Sequence, residues 1–111
     1  MNVRYLKAGL KAPPILMWLV TAAWAAVPAW FNEGMKQVDG WDLSAAEAQL
    51  GGRDGTPHAL WLKGLIALHG GRYDEARELI RTAGQPEGVS NEVYDYWVSV
   101  SSSTAEGARG L

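Results

Sequence analysis

The sequence predicts an all-α chain: one N-terminal transmembrane helix followed by a small helical-hairpin domain. Three observations predict it. Residues 12–32 hold no charged side chain, with Lys11 closing the run on one side and Glu33 on the other. Tyr73, Ala76, Ile80 and Ala83 recur at the 3-4-3 spacing of an amphipathic helix. Ala- and Leu-rich segments elsewhere are punctuated by glycine pairs, which stop helices.

Residues 1–11 form a basic segment. Arg4, Lys7 and Lys11 are cations with no anion among them. Cations before an apolar run place the N-terminus on the cytoplasmic side of a membrane. The rest of the chain then faces outward, which in a bacterium means the periplasmic side of the inner membrane.

Residues 12–32 read as the transmembrane helix. Pro13 and Pro14 suit a first helical turn, where a missing N–H costs nothing. The eighteen residues 14–31 rise roughly 27 Å as a helix, close to the ~30 Å of a hydrocarbon core. Trp18, Ala22, Ala25 and Ala29 fall on one stripe, and small residues let membrane helices approach closely. That stripe is the expected contact with another subunit's helix, while Leu16, Val20, Val27 and Phe31 face lipid. Pro28 is expected to kink the last turn, with Trp30 and Phe31 in the aromatic belt at the bilayer surface. A cleaved export leader is the competing reading of the same residues. The length of the apolar run favours an uncleaved anchor.

Residues 33–42 are polar and contain two glycines, so they read as a linker. The domain is expected over residues 43–100. Asp42 or Ser44 caps a short helix at 44–50, and Gly51 and Gly52 stop it. Residues 53–57 form a turn. Residues 58–69 form a helix that is apolar on nearly every face, with Lys63 its one charge; such a helix is central in its domain or covered by a partner. A second helix follows to Ala83. Asp74 and Glu75 stand in its favourable first turn, and Gly84 stands at its end. In residues 91–100, Val93, Trp97 and Val100 fit a helical stripe, capped by Ser90 or Asn91. Residues 101–111 lack large apolar side chains apart from the last and are expected to be a flexible tail.

Residues 60–83 resemble a tetratricopeptide repeat, the paired-helix unit of about 34 residues. Gly64 in the first helix and Tyr73, Ala76, Ile80 and Ala83 in the second carry the resemblance, together with the string GRYDEA at 71–76. Lys63 and Ala67 depart from it, standing where the family has larger apolar residues, and Pro86 comes early. One unit is visible, with 44–50 and 91–100 as flanking half-repeats. The resemblance implies protein binding rather than catalysis.

No catalytic constellation emerges. There is no cysteine, which excludes disulfides, thiolate metal sites and thiol nucleophiles. His58 and His69 stand eleven apart, about 16 Å along a helix, too far to share a metal. Asp74–Glu75 and Glu92–Asp95 have no His, Lys or Ser at a useful spacing. Residues 33–111 hold seven Lys and Arg against twelve Asp and Glu, a net −5 that argues against nucleic acid. No cofactor, metal or small-molecule substrate is implied. The expectation is therefore a non-catalytic, single-span accessory subunit of a larger membrane complex, of the respiratory or photosynthetic kind. Trp61, Leu65, Leu68 and Tyr73 are its expected protein contacts. The rival is a membrane-anchored, repeat-type adaptor in protein assembly or secretion.

Overall fold

A computed structural model describes residues 27–110. Those residues form five helices and no strand: α1 (Ala29–Asp39), α2 (Leu43–Leu50), α3 (Pro57–His69), α4 (Tyr73–Ala83) and α5 (Asn91–Arg109). Each packs on the next, except that α1 also reaches α3, whereas α5 packs chiefly on α4. The layers are thus two hairpins, α1–α2 and α3–α4, closed by one long helix.

The caps follow from local chemistry. Asp42 accepts from Ala45 N–H, Thr56 from Ala59 N–H and Ser90 from Val93 N–H, each satisfying an orphan donor at a helix start. Pro57 occupies the first turn of α3, where its missing N–H is harmless. Eight of the thirteen residues of α3 are buried, which makes it the central helix. Trp61, Leu62 and Leu65 are almost wholly enclosed, with Ile80 of α4 and Val38 of α1 beside them. Burying each such side chain contributes about 1.5–3 kcal/mol.

The first hairpin repeats the second thirty residues earlier. At the end of α1, Gly40 N–H donates to Lys36 O, Trp41 N–H to Val38 O and Asp42 N–H to Gln37 O. At the end of α3, Gly70 N–H donates to Ile66 O, Gly71 N–H to Leu68 O and Arg72 N–H to Ala67 O. The same offset relates Phe31 to Trp61, Gly34 to Gly64, Val38 to Leu68, Ala46 to Ala76 and Leu50 to Ile80. All of these are buried except Leu50, which packs against the core.

Three boundaries differ from the sequence reading. Residues 33–39 are helix rather than linker, because Phe31, Gly34 and Val38 give α1 a buried face against the rest of the domain. The proposed membrane helix does not run through residue 32. Pro28 is the extended N-cap of α1 (ψ 143°), and Phe31 is 3 % exposed inside the domain, its ring edge-on to His58. The Arg53 guanidinium lies over the Trp30 ring, 5.0 Å from its centre. The expected tail is helical as far as Arg109, with Ser101 and Ala105 buried.

Candidate functional site

The turn between α1 and α2 places Trp41 in the left-handed region, φ 61°. Its equivalent in the next hairpin is Gly71, φ 83°, the residue type that this conformation favours. A bulky aromatic there is strained by about 1–2 kcal/mol. The side chain is also 66 % exposed. Little of its area is therefore used to stabilise the domain.

Trp41 stands over the C-terminal end of α3. Its ring meets that of His69 edge-on, 4.7 Å between centroids. His69 in turn faces Trp97 of α5 at 5.6 Å, and Tyr96 meets Trp97 edge-on at 5.0 Å. His69 Nδ1 lies 2.8 Å from Leu65 O, so Nδ1 carries the proton and donates along its own helix. This fixes the imidazole plane between the two indoles. Leu68, Tyr73, Val100 and Thr104 complete the wall of a shallow depression of about 230 Å³. Its lining is mainly apolar and aromatic, and it lies where α3, the α1–α2 turn and α5 converge.

The surrounding charges are paired. Arg72 reaches Glu75, and Arg77 lies between Asp74 and Glu106. Arg109 also reaches Asp74, at 3.1 Å. His58 Nε2 lies 2.8 Å from Glu87 O, which ties the start of α3 to the loop before α5. Among the described residues no group of three or more His, Cys, Asp or Glu is placed to hold a metal ion.

The expected contact residues divide. Trp61 and Leu65 are 0 % and 1 % exposed, so they are core side chains of this domain, enclosed by their own helices. Leu68 and Tyr73 line the depression. Ala29 is exposed at the start of α1. Trp18, Ala22 and Ala25 lie outside the described residues. Among the described residues no helix is long and apolar enough to cross a membrane.

Sequence reasoning did not bring Trp41, His69 and Trp97 together. The signal was the thirty-residue offset that sets a tryptophan where the next hairpin has glycine. Fold and site together define a small all-α domain of stacked helical hairpins with an exposed aromatic depression. No protein-family model, curated protein or solved structure matches the chain.

Proposed function

We propose that this chain is a non-catalytic docking module acting on the outer face of a bacterial inner membrane. Its role is that of an accessory subunit of a larger membrane complex. The aromatic depression at Trp41, His69, Tyr73 and Trp97 is its protein-binding surface. The observation that carries this reading is the exposure of Trp41 in a backbone conformation that glycine would adopt at less cost. Solvent-facing aromatics of this kind are typical anchors of protein interfaces. Two successive hairpins strengthen the likeness to tetratricopeptide units, which bind proteins.

Gentle purification through a C-terminal tag, with mass spectrometry of what accompanies the chain, tests the proposal. The expected result is a fixed-ratio set of membrane subunits that survives mild detergent. Trp41→Ala should release them while leaving the domain folded. Unchanged recovery with Trp41→Ala and Tyr73→Ala combined would remove the depression from the interface.

A further inference from the structure

We infer that residues 1–25 are an export leader removed by hydrolysis of the Ala25–Ala26 bond. The inference rests on the reading above that the apolar segment directs the chain to the inner membrane.

The fold supplies the decisive boundary. Val27 packs on the domain: a side chain added at Gly88 would meet its Cγ2 at 2.8 Å. Pro28 caps α1, and Phe31 is buried. The domain therefore claims everything from Val27 onward. The apolar run that precedes Val27 in the sequence is only the fifteen residues 12–26. A helix of that length would rise roughly 22 Å, short of the ~30 Å hydrocarbon core. The length that favoured an uncleaved anchor came from residues that belong to the domain.

What remains has the three parts of a leader. Arg4, Lys7 and Lys11 lie in a basic region, and residues 12–22 give eleven uncharged, mostly apolar residues, within the 7–15 of a leader core. Ala23, Trp24 and Ala25 then form the small-x-small triplet that leader peptidases read. Neighbouring frames fail nearer the domain: ending at Ala26 puts Trp24 in the first small position, and ending at Val27 puts a branched residue at the cut and Pro28 after it. In the sequence one residue, Ala26, separates the bond from Val27, which packs on the domain. Water adds across the amide, the C–N bond breaks, and Ala25 leaves as a carboxylate with Ala26 as the new ammonium terminus.

The test uses the full chain with a C-terminal tag, produced in an exporting bacterium, with intact mass and N-terminal sequencing of the recovered protein. The expected result is a chain starting at Ala26. Ala25→Phe should accumulate the uncut chain in the membrane, and Ala22→Leu should leave cutting unchanged. A terminus at Trp24 would overturn the assigned bond. An uncut chain whose domain is open to protease added to spheroplasts would overturn cleavage and leave export standing. An uncut chain protected in the cytoplasm would overturn both.

Discussion

Trp41 and Gly71 hold the same position in two successive hairpins. Both donate their N–H to the residue three before, Val38 and Leu68, and both adopt positive φ. The geometry is set by the turn, not by the side chain, so the tryptophan is strained and the glycine is not. Trp41→Ala and Trp41→Gly both delete the ring, but only the alanine keeps a Cβ in the left-handed region. Trp41→Gly should therefore be the more stable of the two by about 1 kcal/mol. Gly71→Ala should cost a similar amount, although its Cβ would meet nothing within 4 Å. Urea unfolding of the four proteins checks this; equal midpoints for the two Trp41 variants would contradict the turn geometry.

Gly34 and Gly64 are equivalent in the repeat yet face different neighbours. A Cβ on Gly64 would lie 2.7 Å from Ile80 Cγ1 and 3.3 Å from Ile80 N, the backbone of α4. A Cβ on Gly34 would meet only the tip of Leu62, at 2.5 Å from Cδ2. A leucine tip, even one enclosed in the core, can shift by a rotamer adjustment more cheaply than a helix backbone can move. Gly64→Ala should lose about 1–3 kcal/mol by overpacking. Gly34→Ala should lose less than about 1 kcal/mol, since alanine also returns helix propensity. Thermal unfolding of the two variants gives the order.

The difference between what the sequence disclosed and what it concealed is physical. Helix α4 was readable because Tyr73, Ala76, Ile80 and Ala83 draw one stripe between charged residues, and Gly84 ends it. Helix α3 was readable as a helix, and its all-round apolarity correctly marked it as central. Helix α1 was concealed because Asn32, Glu33, Lys36 and Gln37 crowd the space between Phe31 and Val38, and Gly34 resembles a linker residue. Gly34 is there for close packing on Leu62. The repeat was concealed because its identical pairs are only small residues, Gly34 with Gly64 and Ala46 with Ala76, while its larger pairs share only apolar character, as with Phe31 and Trp61. The end of α5 was concealed because its serines suggested disorder. Ser101, Ser103 and Thr104 instead turn their hydroxyls onto Val98, Ser99 and Val100 carbonyls.

That final stretch of α5 is also tied to α4. Arg77, with only 12 % of its side chain exposed, reaches Glu106 at 3.3 Å, and Arg109 reaches Asp74 at 3.1 Å. Deleting residues 101–111 should destabilise the domain by about 2 kcal/mol, through lost burial of Ser101 and Ala105 and loss of Glu106 as one of the two partners of Arg77. Glu106→Gln alone should cost no more than about 1 kcal/mol, because Glu106 is exposed and salt screens it. Urea titrations at low and high salt separate the two; a deletion with no effect would mean that the serine-rich turns contribute nothing.

Phe31 decides where the domain begins. Its ring lies 4.7 Å from that of His58, whose Nε2 is 2.8 Å from Glu87 O. One aromatic thus holds the start of α1 against the start of α3, and through His58 against the loop before α5. Phe31→Ala should cost about 3–5 kcal/mol of domain stability, and His58→Ala about 1–2 kcal/mol by leaving that carbonyl without its partner. A lipid-facing phenylalanine would behave differently: its removal would weaken membrane retention and leave domain unfolding unchanged. Measuring unfolding and membrane partition of Phe31→Ala on the same preparation discriminates the two. A large loss of stability places Phe31 inside the domain, and an unchanged unfolding midpoint would return it to the apolar segment.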